Sequence, residues 1–241
     1  MPPISPGSEP AAAPAVPVAV LGYNLRSLRD DPEAVARVVR SCAPDLLCLQ
    51  EVPRFGRWRA RRDALAAACG MRVLASRRQA GLAVLGGPRV RLLSADYRLL
   101  TWSPPLHRRA LALARVRVDG RPLAVASTHL DLAPGARLRH GMEILRLLAA
   151  CPEPVVLAGD FNETPGGAAW RLLAGAFQDG YALAPEGRGP TFPARAPRRR
   201  IDAVFADPAL RVLGCGVPPD PAGDFPQATD HCPVLARIAL P

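Results

Sequence analysis

The chain contains no lysine: its 31 basic side chains are all arginine, and alanine, proline and glycine are abundant beside them. GC-rich coding produces that composition whatever a protein does, so the net charge of +10 is only a slight argument for an anionic partner. No two of the six cysteines (Cys42, Cys48, Cys69, Cys151, Cys215 and Cys232) have C-x-x-C spacing, and most sit among apolar neighbours. Zinc and disulfide frameworks therefore lack support, and buried free thiols are expected. Long apolar runs are missing as well. None approaches the roughly 20 residues that cross a bilayer, and the run from Val16 to Leu21 is broken by Pro17. The first fifteen residues lack both a basic segment and an unbroken apolar stretch, so neither a signal peptide nor an anchor is expected. A cytoplasmic monomer without an integral membrane segment is the expectation.

At 241 residues the chain is long enough for one well-buried domain, because a single core stays efficient up to about 250–300 residues. Residues 16–241 are read as that domain, preceded by a disordered Pro/Ala-rich leader from Met1 to Ala15. Val16–Tyr23 suits a buried strand ending at Asn24. Asp31-Pro32-Glu33 then starts a helix, with Asp31 as cap and Val35, Val38 and Val39 at helical spacing. Asp45–Leu49 is the next strand, and Trp58–Cys69 the next helix.

Further strands are predicted at Arg72–Ala75, Gly81–Leu85, Val90–Leu93, Ala110–Val118 and Leu123–Thr128. Asp119-Gly120 is a hairpin signal between the last two. Arg137–Ala150 forms a helix, Val155–Ala158 a strand and Gly167–Ala174 a helix. Ala203–Phe205, Leu210–Cys215 and Val234–Ala239 complete the set. Strands outnumber helices and several are continuously apolar, which argues for two sheets packed face to face with helices outside.

Polar residues interrupt this pattern at strand ends. Glu51 emerges from the apolar run Leu46–Leu49, and a hard divalent cation takes such carboxylates together with water and phosphate oxygens. Asp160 and Asn162 alternate with Phe161, so both polar side chains point one way: the Asp can hold or deprotonate water, and the Asn can fix that water or a phosphoryl oxygen. His129 ends an apolar strand and His231 precedes one, and two imidazoles suit proton transfer near neutral pH. If Asp202 folds back on His231, its carboxylate orients the ring and raises its basicity, leaving Asp230 on the metal side. Each segment alone is equally ordinary loop or turn chemistry. Together, at the ends of strands, they read as one divalent-metal phosphoesterase site. His107, in a loop, and His140, on a helix, are read as structural. The basic helix of Arg57, Arg59, Arg61 and Arg62 and the run Arg198–Arg200 are either phosphate contacts or a solvated face.

The ordered set Asn24, Gln50-Glu51, His129, Gly159-Asp160-Phe161-Asn162, Ile201-Asp202 and Asp230-His231 resembles the endonuclease/exonuclease/phosphatase superfamily, from about Val16 to Ile238. That superfamily includes deoxyribonuclease I, exonuclease III, neutral sphingomyelinase and inositol-phosphate 5-phosphatase branches. The resemblance implies an α/β four-layer αββα sandwich, with two mixed, mostly antiparallel sheets and the site at one edge. It implies Mg²⁺ (or Mn²⁺) held by Glu51 with Asn24 and Asp230, a catalytic set of His129, Asp160, Asn162, Asp202 and His231, and hydrolysis of a phosphate ester by in-line water attack. In it, His231 with Asp202 acts as base and His129 as acid or phosphate contact. The substrate stays open between a small phospho-compound, a lipid head group and nucleic acid. The alternative is a non-catalytic nucleic-acid or phosphoinositide binding module on the same fold. Two branch features are missing: Gly81–His107 offers only Tyr97 in a poorly matching context, and the secreted deoxyribonucleases' signal peptide and disulfide have no counterpart.

Overall fold

The computed structural model describes residues 15–241, so the leader expected at Met1–Ala15 lies outside the described residues except for Ala15. In chain order come β1 (Val16–Asn24), α1 (Pro32–Cys42), β2 (Leu46–Gln50), α2 (Trp58–Ala68), β3 (Arg72–Arg77), β4 (Leu82–Gly86) and β5 (Val90–Leu99). Then follow β6 (Ala110–Val118), β7 (Arg121–His129), α3 (Pro134–Leu148), β8 (Val155–Asp160), α4 (Ala168–Ala174), β9 (Gln178–Asp179) and α5 (Gly180–Leu183). The last elements are β10 (Asp202–Ala206), β11 (Arg211–Gly216), α6 (Phe225–Ala228) and β12 (Val234–Leu240).

The strands form two six-stranded sheets, ordered β11-β12-β1-β2-β4-β3 and β5-β6-β7-β8-β10-β9. In each sheet one pair is parallel, β1 with β2 and β7 with β8. Parallel neighbours need a crossover, and α1 and α3 supply it. The other pairings are antiparallel. Between the sheets lies a core that includes Val18, Val20, Leu46, Leu82, Val125, Val156 and Val204. The outer face of the first sheet packs Leu21, Tyr23 and Leu47 against Val35 and Val39 of α1, Leu65 of α2 and Phe225 of α6. The outer face of the second packs Leu157 and Phe205 against Ile144 of α3 and Trp170 of α4. This is the four-layer αββα sandwich, with mixed, mostly antiparallel sheets.

Local chemistry explains the individual elements. Asp31 caps α1 by accepting from the Glu33 amide at 2.8 Å, and Pro32 occupies the first turn, where a missing N–H costs nothing. Asp119 (φ 46°) and Gly120 (φ 85°) both take positive φ in the two-residue turn joining β6 to β7. β5 runs on to Leu99, beyond the expected Leu93, because it is an edge strand: Arg91–Ala95 and Arg98–Leu99 are exposed, which hides the apolar pattern. Tyr97 is buried in its wall and donates its hydroxyl to the Gln79 carbonyl, a structural role. All six cysteines are free thiols, Cys48, Cys215 and Cys232 buried and the others partly so. No helix among the described residues is long and apolar enough to cross a membrane.

Alternation along the strands aims the polar residues. On β1, Val18 and Val20 face the intersheet core, so Gly22 and Asn24 face the same gap at the strand's end. The same parity carries Gln50 after Cys48, His129 after Val125, Asp160 after Ala158, and Asp202 before Val204. Asn24 pairs with Gln50 in register, His129 with Asp160, and Asp202 with Asp160. One end of the gap is thereby polar. Gly159 permits it, since a Cβ there would sit 2.5 Å from the Thr128 carbonyl oxygen and hold β8 away from β7.

Candidate active site

Asp160 is the hub. It is buried; its Oδ2 accepts from Asn24 Nδ2 at 2.9 Å, and its Oδ1 accepts from the Asn162 backbone at 2.9 Å. His129 Nε2 lies 3.3 Å and His231 Nε2 3.8 Å from the same Oδ2. Burial and the neighbouring Asp202 charge push the Asp160 carboxyl up to about 7, against the pull of His231 and the two asparagine contacts.

Asp202 stands behind His231. Its Oδ2 accepts from His231 Nδ1 at 2.9 Å, which places the ring proton on Nδ1 and leaves Nε2 directed towards Asp160. Burial alone would lower this imidazole, but the Asp202 charge and hydrogen bond, with Asp160 and Asp230 further off, push it up to about 10. Phe192 packs on the ring at 4.9 Å between centroids. The Thr191 hydroxyl accepts from the Ile201 and Asp202 amides at 3.2 and 3.3 Å, fixing the backbone that presents Asp202.

His129 is the opposite case. Burial, then the positive charges of Arg109 and His231, hold it well below the ordinary imidazole value, so it is neutral. Asn162 Nδ2 contacts its Nε2 at 3.0 Å and donates to the Leu130 carbonyl at 3.0 Å. Its Nδ1 is buried without a partner among the described residues.

On the other side of Asp160, Asn24 Nδ2 also donates to Glu51 Oε1 at 3.2 Å. Glu51 and Asn162 both sit in left-handed backbone, at φ 49° and 51°. Such geometry is uncommon for Glu and is tolerated where the surroundings impose it. Glu51 and Asp160 present hard carboxylate oxygens at the end of the gap; Asn24 directs its Nδ2 to both, while its Oδ1 accepts from the Arg26 amide at 3.0 Å. That donor set fits a divalent cation of the oxygen-seeking kind. Asp160, Asp202 and His231 also bring one ligand atom each within 4.8 Å of one another, although two of the three are already hydrogen-bonded together.

Asn24, Glu51, His129, Asp160, Asn162, Asp202 and His231 are therefore brought together from both sheets. Asp230 stands at the margin, where its Oδ2 lies 3.5 Å from Arg26 Nε and its Oδ1 accepts from the Thr229 hydroxyl at 3.3 Å. A cleft of about 420 Å³ opens over Glu51, His129, Asp160 and His231. His107, read from sequence as structural, lines it. His140 is buried on α3 with Nε2 2.9 Å from the Thr101 carbonyl, as a structural histidine should be. Of the basic segments, only Arg199 reaches the cleft: Arg61 is tied to the Ser27 and Leu28 carbonyls, Arg62 to Asp63, and Arg200 to Asp179.

Sequence reasoning missed Arg109, Arg54, Thr191 and Phe192. Arg109 carried a usable signal, for it immediately precedes the β6 strand and so obeys the strand-end rule that found the others. It is buried, its Nε has no partner among the described residues, and Asp131, Asp160 and Glu51 face it electrostatically. A larger cavity of about 500 Å³ between α1 and α2 contains none of the site residues.

A family model described as the Endonuclease/Exonuclease/phosphatase family matches residues 21–231. No curated protein matches the chain. Among solved structures, an endonuclease/exonuclease/phosphatase from Beutenbergia cavernae DSM 12333 is 26% identical, covering 93% of this chain and 72% of its own, with a TM-score of 0.71. A mannosyl-6-phosphatase from Bacteroides thetaiotaomicron VPI-5482 is 17% identical over 92% of this chain and 99% of its own, at 0.78. The human nocturnin catalytic domain is 16% identical over 93% and 95%, at 0.71. With the family match running from the second half of β1 to His231, the chain belongs to the endonuclease/exonuclease/phosphatase family.

Proposed function

We propose that the chain is a divalent-metal-dependent hydrolase that cleaves a phosphate ester by attack of water. The observation that carries this is the convergence of Asn24, His129 and His231 on one buried carboxylate, Asp160, with His231 held from behind by Asp202. Mg²⁺ or Mn²⁺ would be held by Glu51 and by Asn24, whose amide would have to turn its Oδ1 from the Arg26 backbone towards Glu51. Asp230 is the third candidate ligand and would have to exchange Arg26 for the cation. When bound, the cation supplies positive charge to the phosphoryl oxygens and lowers the proton affinity of the groups around it.

The chain's own groups divide the remaining work. His231 is the proposed base at Nε2, since Nδ1 is committed to Asp202; its raised value of about 10 keeps Nε2 protonated near neutrality, so the role requires the cation's charge to lower it. Asp160 and Asn162 position that water and the phosphoryl group. Neutral His129 contacts a phosphoryl oxygen; of the two roles considered for it, acid or phosphate contact, its depressed pKa favours the contact. Arg109 faces the same place with a free donor.

The named neighbours, a mannosyl-6-phosphatase among them, support a phosphate-ester substrate. A binding module without catalysis is the weaker reading, since no residue of the expected site is missing. The test is hydrolysis of bis-p-nitrophenyl phosphate, p-nitrophenyl phosphate, plasmid DNA, sphingomyelin and inositol phosphates after chelation and again after Mg²⁺ or Mn²⁺ is restored. Turnover that needs the metal and vanishes in Asp160→Ala is expected. Turnover that ignores the chelator contradicts the reading.

A further inference from the structure

Five arginines line the cleft: Arg29, Arg54, Arg108, Arg109 and Arg199. Among the described residues, none of their guanidiniums is ion-paired or hydrogen-bonded to a carboxylate. Elsewhere some arginines are ion-paired, as Arg37 is with Asp224 at 2.7 Å, Arg115 with Glu153 at 2.5 Å and Arg200 with Asp179 at 2.7 Å, and others, such as Arg57 and Arg78, stand exposed on the open surface. The lysine-free composition explains why arginine is common, but not why unpaired arginines gather in this one concavity.

Only two carboxylates, Glu51 and Asp160, line the cleft against those five cations. A divalent cation at Glu51 would balance both, leaving buried Asp131 as the carboxylate facing Arg109 and none in the cleft for the other four guanidiniums. A buried donor without a partner is costly, and Arg109 is one. It is the most buried of the five, facing Asp131 as well as Asp160 and Glu51, where the scissile phosphoryl group belongs. Arg54 and Arg108 are held differently. Arg54 lies 5.8 Å from the Phe55 ring centroid and Arg108 4.7 Å from that of Trp102, and both rings are exposed, 77% and 46%. A cation–π contact restrains a guanidinium while leaving its N–H groups available to an anion.

We propose that the substrate carries a second phosphate group beside the scissile one, bound by Arg54 and Arg108, while Arg109 takes the scissile group. The inference rests on the phosphate-ester reading above and names its substrate class. The second phosphate belongs either to a multiply phosphorylated small molecule or to an oligonucleotide, and the two arms of the test separate these sources.

The experiment is calorimetric titration of the full chain, without added metal, with two matched pairs. One pair is fructose 6-phosphate against fructose 1,6-bisphosphate; the other is thymidine 5′-monophosphate against the 5′-phosphorylated thymidine dinucleotide. In at least one pair the two-phosphate member should bind at least ~10-fold tighter, and the pair that responds names the source. The double variant Arg54→Ala/Arg108→Ala should bring that preference below ~3-fold, on a chain whose melting temperature is unchanged. Equal affinities within both pairs, or no detectable binding of either two-phosphate probe, overturns the proposal. The readout is binding, so absent hydrolysis in the activity panel counts against the phosphoesterase reading and leaves a measured two-phosphate preference standing.

Discussion

The gap between the two sheets is apolar in its middle and polar at one end, and the same strands build both regions. Along β8 the inward positions read Val156, Ala158, Asp160; along β1 they read Val18, Val20, Gly22, Asn24. One step of the strand period separates core from chemistry. The middle is stabilised by removing apolar surface from water, a term that ignores orientation. At the polar end, hydrogen bonds and charges depend on direction at every contact, as the Asp202–His231–Asp160 line shows. The site borrows its rigidity from a core that has no part in the reaction, so damage to the two regions should separate cleanly.

Glu51→Gln should produce a large effect on the polar side, second only to substitution of Asp160. Turnover is expected to fall by about 10²- to 10³-fold and the metal concentration for half-maximal rate to rise, with an unchanged far-UV spectrum. Normal activity with ordinary metal dependence would remove Glu51 from the site. Asp202→Asn should cost turnover about 10²-fold or more by disturbing the His231 tautomer, without unfolding the chain. If its main effect is a lower melting temperature, Asp202 belongs with the scaffold.

Leu82→Ala tests the apolar middle. Leu82 is fully buried between the sheets, so denaturant unfolding should show a loss of about 2–5 kcal/mol while turnover per folded molecule holds. A matching loss of turnover would show that core and site are not separable.

The smallest effect is expected at Asp179, where a partly buried carboxylate makes a bidentate pair with Arg200. Burial acts to raise its pKa, but the Arg200 hydrogen bonds and charge outweigh burial and hold it below the ordinary carboxylate value. A depressed folded pKa stabilises the protein above the unfolded value of about 3.9 and loses that contribution as pH falls through the folded value. Asp179→Asn should therefore be less stable near neutrality and show a flatter decline of melting temperature below about pH 4. An acid limb identical to the parent's would show that Asp179 gains nothing from Arg200.

Legibility in the sequence followed the same division. Asn24, Glu51, His129, Asp160, Asp202 and His231 could be read because each interrupts an apolar strand at its end, which is a local signal. The two-residue turn at Asp119-Gly120 and the Asp31 cap were legible for the same reason. Thr191 and Phe192 were not, because they reach Asp202 and His231 through the irregular hairpin in which Phe192 pairs with Arg199. Arg54 and Arg108 were hidden by composition: in a chain whose 31 basic residues are all arginine, one more arginine in a loop carries no information until the fold closes the cleft. The outer half of β5 was invisible because an exposed edge strand needs no apolar alternation.

The most direct test of the claim that Asp160 is the hub of a metal-dependent site is the turnover of Asp160→Asn on bis-p-nitrophenyl phosphate at saturating Mg²⁺. Its melting temperature should be checked on the same sample. The account predicts a loss of at least ~10³-fold in a chain that melts where the parent does. Turnover within about 3-fold of the parent would contradict it, because no single contact of that size is then being made at Asp160.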